Sequence, residues 1–382
     1  VAAVLRAVEA ATPDWLTETL RAAGKLGAGQ VDSVEPSPGR LTAMWQLVHL
    51  RVTYSAGSPP ACPSALLLKL PHLRPGETEA SRRFHILGRS HEVAFYLRLA
   101  PAPAMAALPI VRCFSAAHDA AAFDDPSRPD AHVLVEDLSE SHWQTEPPIP
   151  PPDRCCDEAV MHLALLHASW WNSDRLKADG DLARYFAALH QRAGSASAGK
   201  SSAASVAGEI PSFIAFLGDR LSPDDRSLLE RVHHRAAHLA DASDSRAQTL
   251  LHGDPHWWNF LYPSDAARAS GDVPRILDWG SWRTGPATND LVYAIAMHWS
   301  PARRARLERP LLQRYHRHLL HSGVTGYPWE ALWDDYRRSV LWGLQKTARC
   351  WAEHWPTQHW WRFLENTLAA ARDLDCEQLL DL

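Results

Sequence analysis

The chain has 382 residues, of which 46% are hydrophobic and 22% are charged, and its formal net charge at pH 7 is −5. This apolar content and low net charge exclude global disorder, and the length predicts two or three domains. The slightly acidic balance argues against a nucleic-acid binder, and no apolar run is long enough to predict a membrane span. Because the first residues lack the long apolar stretch of a signal peptide, we expect a cytoplasmic protein with reduced cysteines.

The first third of the chain predicts a small lobe of mixed helix and antiparallel strand. A helix is expected over residues 13–30, followed by a turn-rich segment over 35–39. Two β-type runs, at 41–54 and 65–70, are separated by a Gly-Ser-Pro-Pro turn. Such a pair with a turn between its members is typical of a β-hairpin.

A proline-rich segment at 147–152 marks the predicted boundary between two lobes, since it can neither pair in a sheet nor continue a helix. Before it, residues 81–99 predict a helix and 132–138 a buried strand. After it, the pattern at 155–169 and 211–239 is mostly helical, and long helices are expected towards the end of the chain.

A connector rich in Gly, Ser and Ala lies in the second lobe and contains a misleading motif. Residues 194–201 fit the Walker A pattern letter for letter. A phosphate loop needs a buried strand before its first glycine, whereas residues 182–193 predict an amphipathic helix. We therefore interpret 193–208 as a flexible connector, within a lobe of 139–382 that follows a lobe of 1–138.

Two loops after this connector carry two carboxylates and an amide. An apolar run precedes His252-Gly253-Asp254, Asn259 follows the aspartate by five positions, and a second apolar run precedes Asp278. Turn chemistry is one explanation, because Asp and Asn favour turns. Phosphoryl transfer is the other, since it needs oxygen ligands for Mg²⁺ and a separate aspartate near the attacking hydroxyl. On that interpretation Asp254 is the catalytic base, and Asn259 and Asp278 bind the metal.

This arrangement resembles the aminoglycoside phosphotransferase and choline kinase family, the small-molecule branch of the protein-kinase-like fold. The family signature is His-Gly-Asp-x-x-x-x-Asn followed about twenty residues later by an aspartate, and Asp278 here follows Asn259 by 19 positions. Residues 163–171 also resemble the first large-lobe helix of ecdysteroid-kinase-like members. The resemblance covers roughly 35–300 and implies an α+β, bilobal fold with a small antiparallel-sheet N-lobe and a larger, mainly helical C-lobe.

The resemblance also implies a nucleotide site in the N-lobe. Lys69 is similar to the strand lysine that contacts the α- and β-phosphates, and Glu92 to the helix glutamate that pairs with it. Glu136, Asp137 and Leu138 are similar to the hinge whose backbone meets the adenine. ATP is the implied nucleotide, with GTP as an alternative, and Mg²⁺ is the implied metal.

Other residues near the two loops are assigned supporting or substrate-facing roles. Asp290 resembles the aspartate that braces the catalytic loop, and His252 is expected to hold that loop by hydrogen bonds. The family's glycine-rich loop is reduced to a lone Gly39. The residues predicted to face the substrate are His256, Trp257, Trp258 and Trp282, although His256 is also explained as a structural loop histidine.

The class of acceptor is inferred from the tryptophans, since 12 of the 17 lie at or after Trp257. They indicate either a large aromatic core or a pocket for a planar or apolar ligand. Residues 301–382 hold 10 acidic and 12 basic side chains, so no acidic bias favours a polycation. We therefore expect phosphorylation of a hydroxyl on a small-molecule natural product, with a nucleoside- or macrolide-type antibiotic favoured over an aminoglycoside.

Two other functions are compatible with these residues. One is a catalytically silent binding protein that keeps the kinase fold, and the other is a metabolic kinase acting on choline, a sugar or a sterol. In each case the partner is a small-molecule acceptor or ligand. Neither a nucleic acid nor a membrane is expected as a partner, and we expect a monomer or a homodimer.

Overall fold

The structure is a computed structural model. It describes residues 3–125, 128–147, 149–177, 180–192, 203–236, 238–239 and 247–381. The Walker A-like segment 194–201 and residues 193–202 of the predicted connector lie outside these ranges, and residues 203–208 begin a helix. Contacts divide the chain into two compact units. The first unit is Val1–Gln144, Gln191–Gly194 and Leu261–Ser281. The second unit is Thr145–His190, Ser195–Phe260 and Trp282–Leu382.

The secondary structure of the described residues mixes strands with α-helices of 5 to 24 residues. The α-helices are α1 (Pro13–Ala22), α2 (Glu79–Ala94), α3 (Asp153–Ser169), α4 (Asp181–Arg192), α5 (Ala203–Leu217), α6 (Pro223–His234), α7 (Asp265–Ala269), α8 (Thr288–Ala294), α9 (Pro301–His321), α10 (Trp329–Ala352) and α11 (Thr357–Asp373). The strands are β1 (Val31–Leu41), β2 (Trp45–Tyr54), β3 (Ala65–Pro71), β4 (Cys113–His118), β5 (Ala131–Glu136), β6 (His142–Trp143), β7 (Thr249–Leu251), β8 (Phe260–Pro263), β9 (Arg275–Ile276) and β10 (Arg283–Gly285).

A five-stranded antiparallel sheet forms the centre of the first unit, in the order β1-β2-β3-β5-β4. Side chains alternate between the two faces of a strand, so Leu66, Leu68 and Leu70 of β3 all turn into one buried core. Leu16 and Leu20 of α1 pack against the same core. The alternation therefore places the side chain of the intervening lysine on the opposite face of β3.

Two predicted boundaries in this unit are wrong for local reasons. The helix expected over 13–30 ends at Ala22, and Gly24 follows with φ of 68°, a conformation that ends helices and that glycine adopts without strain. The turn predicted at 35–39 is part of β1, where Pro36 and Pro38 pair with β2. Proline lacks an N–H and is tolerated here because β1 is an edge strand.

The second unit is mainly helical. α3 packs against α9, and α10 packs against α5, α8 and α11. A two-stranded antiparallel pair, β7 with β10, lies among these helices and ends one residue before His252. No helix of the described residues combines the length and the apolar character needed to cross a membrane.

Candidate active site

Lys69 and Glu92 form a buried ion pair in the first unit. The Lys69 Nζ lies 2.5 Å from Glu92 Oε1, and the two side chains are 12% and 0% exposed. The indole N–H of Trp45 donates to the other carboxylate oxygen at 2.8 Å. Both oxygens of Glu92 are therefore occupied, and the lysine is held in a single position on β3.

Asp278 lies close enough to influence this pair. Burial raises the pKa of Glu92, and the Asp278 carboxylate raises it further, whereas Lys69 opposes both effects. Asp278 has φ of 66°, in the left-handed region, which aspartate adopts more readily than most other non-glycine residues. The first unit thus gathers one lysine and two carboxylates from β3, α2 and the turn after β9.

The turn that carries Asp278 packs tightly against α2. The next residue, Trp279, stacks on Phe95 with ring centroids 3.7 Å apart and planes 5° apart. Phe95 begins a five-residue π-helical turn that continues α2. Departures of this kind from α-helical geometry are frequent at functional sites. The stack therefore connects the Asp278 turn to the helix that carries Glu92.

The predicted hinge follows β5 and its side chains are engaged locally. Glu136 Oε1 accepts from the Arg112 backbone N–H at 2.8 Å, and the Glu136 N–H donates to the Arg112 carbonyl at 2.9 Å. Asp137 accepts from the Ser139 N–H at 2.9 Å, and its other oxygen lies 2.6 Å from His49 Nδ1. These bonds hold the loop in place.

In the second unit a single carboxylate holds the loop of the predicted base. Asp290 is fully buried, and its two oxygens accept from the backbone N–H groups of His252 at 2.7 Å and Gly253 at 3.0 Å. Gly253 has φ of 85°, which a side chain would disfavour. Arg283 donates to the Gly253 carbonyl at 3.0 Å. The loop conformation is therefore determined by buried charge-assisted hydrogen bonds.

His167 of α3 completes the support of this loop. Its Nε2 lies 3.2 Å from Asp290 Oδ2, and its Nδ1 lies 2.8 Å from the hydroxyl of Tyr315. Burial alone would raise the pKa of Asp290, but the hydrogen bond and charge of His167, together with the charge of nearby Arg283, hold the pKa below its usual range. Asp290 therefore remains ionised, as its role as a double acceptor requires.

Asp254 lies at the tip of this loop, with its side chain 28% exposed. Burial would raise its pKa. His256, Tyr293 and Lys346 lower it and together outweigh burial, and the Nε2 of His256 lies 3.5 Å from Asp254 Oδ2. The pKa of Asp254 is therefore below its ordinary value. An ionised, partly exposed carboxylate with this environment can accept a proton at neutral pH.

Asn259 is oriented by the backbone of the same loop. Its Nδ2 donates to the Asp254 carbonyl at 2.9 Å and lies 3.4 Å from a carboxylate oxygen of that residue. This geometry directs the amide nitrogen towards the loop and leaves Oδ1 as the atom suited to a cation. Oxygen donors of amides and carboxylates are the ligands that Mg²⁺ prefers.

A cavity of about 430 Å³ lies in the second unit and contains three of the late tryptophans. Its lining residues are Pro150, Trp257, Trp258, His298, Trp299, Ser300, Arg303, Arg362 and Asn366. His256 connects it to the loop of Asp254, since its ring centroid lies 5.3 Å from that of Trp258 and 5.8 Å from that of His298.

Trp282 lies elsewhere and does not line this cavity. It is fully buried and packs edge-on against Phe186, with ring centroids 4.0 Å apart. Core packing therefore accounts for its position. Trp257 and Trp299 border the cavity but are buried almost as deeply as Trp282, whereas Trp258 is partly exposed.

Several residues of the site escaped the sequence analysis. His167, Arg283 and Lys346 all act on the Asp254 loop, and none of them lies within the His-Gly-Asp motif. His298 and Trp299 line the cavity but follow the second loop by about twenty residues. The helix containing His167 was noted only for its overall resemblance, and no local signal identified the other residues.

Comparison with known families identifies the family to which the chain belongs. The family model described as ecdysteroid kinase-like matches residues 46–323, more than two thirds of the chain. The chain belongs to the ecdysteroid kinase-like family. It is accordingly a small-molecule kinase, and the predicted recognition and enzyme class are confirmed. A comparison with curated proteins finds no match.

Solved structures similar to this family member include three small-molecule kinases. An ethanolamine kinase from Plasmodium vivax is 11% identical, with 89% of this chain and 82% of that chain covered and a TM-score of 0.52. The choline kinase LicA from Streptococcus pneumoniae is 13% identical, with 94% and 98% covered and a TM-score of 0.42. The GDP complex of wild-type aminoglycoside 2'-phosphotransferase-IIIa is 11% identical, with 94% and 99% covered and a TM-score of 0.47. The likeness to the ethanolamine kinase supports the predicted protein-kinase-like fold, which is confirmed.

Proposed function

We propose that this family member transfers the γ-phosphoryl group of ATP, or alternatively GTP, to a hydroxyl of a small-molecule natural product. One observation carries the proposal. Asp254 is kept ionised on a loop whose backbone is fixed by the buried Asp290. A carboxylate held in this way meets the requirement for a base that accepts the proton of an attacking hydroxyl.

The proposed reaction assigns a separate task to each residue. Asp254 accepts the hydroxyl proton as the new oxygen–phosphorus bond forms and the bond from the γ-phosphorus to the departing nucleoside diphosphate breaks. Lys69, held by Glu92, binds the α- and β-phosphates and limits their movement. The hinge backbone at 136–138 orients the base of the nucleotide.

Asn259 and Asp278 fit the role of Mg²⁺ ligands. Each offers a hard oxygen donor, and the amide nitrogen of Asn259 is already engaged with the Asp254 carbonyl. Among the described residues no group of three or more His, Cys, Asp and Glu side chains could hold a metal ion. When bound, Mg²⁺ would neutralise charge on the transferred phosphoryl group and on the nucleotide.

The cavity lined by Trp257 and Trp258 is our candidate for the acceptor site. Its walls include three indole rings, and none of the described residues that line it is acidic. Flat aromatic walls favour a planar or apolar acceptor, whereas a polycation would need carboxylates. We therefore favour a nucleoside- or macrolide-type antibiotic as acceptor. A sterol or sugar alcohol is the alternative, and the absence of acidic lining residues disfavours choline.

A panel of alcohols tests the acceptor class. We expect the purified full chain, with ATP and Mg²⁺, to phosphorylate nucleoside or macrolide antibiotics faster than aminoglycosides, because the cavity is aromatic and lacks carboxylates. Product mass and release of ADP measure the reaction. A strong preference for aminoglycosides would contradict the proposed acceptor class.

The variant Asp254→Asn tests the assignment of Asp254 as the base. The amide keeps the shape of the side chain but cannot accept the proton, so turnover should fall by about 10²- to 10⁴-fold. Nucleotide affinity, measured by equilibrium binding, should stay within a factor of about two, since no nucleotide contact is changed. Unchanged turnover in this variant would show that the base is assigned wrongly.

A further inference from the structure

The cavity described above is built around one stacked pair of indoles. Trp257 and Trp299 lie nearly parallel, with ring centroids 4.9 Å apart and planes 13° apart. Trp258 meets His298 edge-on at 5.6 Å. A volume of about 430 Å³ is within the range typical of small-molecule sites. The walls therefore suit a ligand with a flat ring system.

Within the described part of the chain, two charged residues line this cavity, and both are arginines. Arg303 is largely neutralised, because its Nη2 lies 3.3 Å from Asp153 and also donates to the Pro151 carbonyl at 2.8 Å. Arg362 of α11 differs, since it forms no ion pair or hydrogen bond within the described part of the chain. A partly buried cation without a partner is an unusual feature unless a ligand supplies the negative charge.

The positive charge of Arg362 lowers the pKa of two nearby histidines. It contributes to the low pKa of His359 and, in addition to burial and His256, to the pKa of about 3 for His298. His298 is therefore neutral, and its Nδ1 lies 2.6 Å from the Tyr293 carbonyl. Its Nε2 is left as an acceptor, which could receive a hydroxyl proton of a ligand in a hydrogen bond.

A second unpaired cation lies close to the proposed base. Lys346 Nζ lies 4.8 Å from the centroid of the Tyr293 ring and forms no ion pair with a described carboxylate. Its charge helps to lower the pKa of Asp254. Cationic groups without carboxylate partners are thus present both at the cavity and at the base, and this distribution disfavours a positively charged acceptor.

We propose that the acceptor is a ring-containing alcohol that carries a carboxylate, and that Arg362 binds this carboxylate. Trp258, the partly exposed indole of the cavity, would pack against the ring system. A carboxylate is favoured over a phosphate because Arg362 is the single unpaired arginine among the described lining residues, which matches a single negative charge. This inference rests on the proposed function, in which Asp254 activates the hydroxyl of the same molecule.

Two probes of the same shape test the role of Arg362. The probes are 6-(hydroxymethyl)naphthalene-2-carboxylate and the corresponding carboxamide, and calorimetry measures their binding to the full chain without nucleotide. We expect the carboxylate to bind about tenfold more tightly, which corresponds to about 1.4 kcal/mol. In Arg362→Gln this preference should fall to about twofold or less, and Arg362→Lys should restore part of it.

Arg317→Gln is the matched control, because Arg317 is an exposed arginine of α9 that does not line the cavity. This variant removes the same charge and should keep the tenfold preference. Equal binding of both probes to the wild-type chain, an equal loss of both in Arg362→Gln, or binding of neither at millimolar concentration would overturn the inference. Preference through Arg362 without phosphoryl transfer to any alcohol would instead overturn the proposed function alone.

Discussion

At the residue scale, Asp290 determines the conformation of the loop that carries Asp254, the proposed base. It is buried, and it accepts from two backbone N–H groups while pairing with His167. Hydrogen bonds to a charged acceptor contribute about 1.5–3 kcal/mol each, and more is lost when a buried partner is left unpaired. The loop of Asp254 therefore depends for its conformation on a residue that lies 36 positions later in the sequence.

Asp290→Asn should destabilise the protein by about 3–5 kcal/mol. An amide has a single acceptor oxygen, and its NH₂ group would face one of the N–H donors, so at least one buried hydrogen bond is lost. The urea midpoint of unfolding measures the effect. Asp219→Asn, at an exposed position of the same unit, should change that midpoint little, and an equal effect of both substitutions would contradict this role.

The same carboxylate makes stability depend on pH with a defined sign. The pKa of Asp290 is lower in the folded chain than its ordinary value of 3.8, so its stabilisation is complete above about pH 5. Stability is lost as the pH falls through the ordinary value and then through the folded one. The wild-type chain should therefore lose stability below about pH 4 more steeply than Asp290→Asn does.

At the element scale, the position of α2 depends on one close approach. A Cβ added at Gly88 would lie 2.6 Å from Met44 Sδ, and Gly280 of the Asp278 turn approaches the same methionine. Gly88 also lies four residues before Glu92, one helical turn away on the same side of α2. Gly88 thus leaves room for the Met44 side chain beside the helix that carries Glu92.

Gly88→Ala should therefore weaken nucleotide binding as well as stability. Relieving the overlap requires a movement of α2 or of Met44, and overpacking of this kind costs about 1–3 kcal/mol. Because that movement displaces Glu92, we expect KM for ATP to rise several-fold while kcat changes less. Initial rates at varied ATP concentration measure this split.

Met44→Ala separates the steric cause from other effects of the added methyl group. Combined with Gly88→Ala, it should restore much of the nucleotide affinity, because the space of the methionine side chain becomes available. Met44→Ala alone provides the reference for the pair. If the double variant binds ATP no better than Gly88→Ala, the close approach is not the cause.

At the scale of the whole molecule, nucleotide binding should stabilise the chain by mass action. A ligand that binds only the folded state at a hundred times its Kd contributes about 2.7 kcal/mol. ATP with Mg²⁺ should therefore raise the thermal midpoint of the wild-type chain, and Lys69→Met should lose most of this shift, because the phosphates lose their cation. Differential scanning fluorimetry measures the shift.

Lys25→Met is the corresponding control, since Lys25 follows α1 and forms no ion pair among the described residues. It should respond to ATP as the wild-type chain does. A full shift in Lys69→Met would show that the lysine does not contact the nucleotide.

The sequence by itself determined the features that depend on local spacing. His252, Asp254 and Asn259 belong to one short motif, and the alternation along β3 places Lys69 opposite the leucines that form the core. Recognition of the kinase fold followed from such spacings and is confirmed by the family match. Local patterns suffice here because turns and strands bring residues of nearby sequence to defined positions.

Only the tertiary structure decided which distant residues complete the site. His167 reaches Asp290 across 123 positions, and the cavity joins Pro150 to Asn366. The residues of β1 likewise could not show that this strand lies at the edge of the sheet, where Pro36 is tolerated. The physical reason is that packing, burial and unpaired charge are properties of neighbours in space, and the chain brings these neighbours together only when it folds.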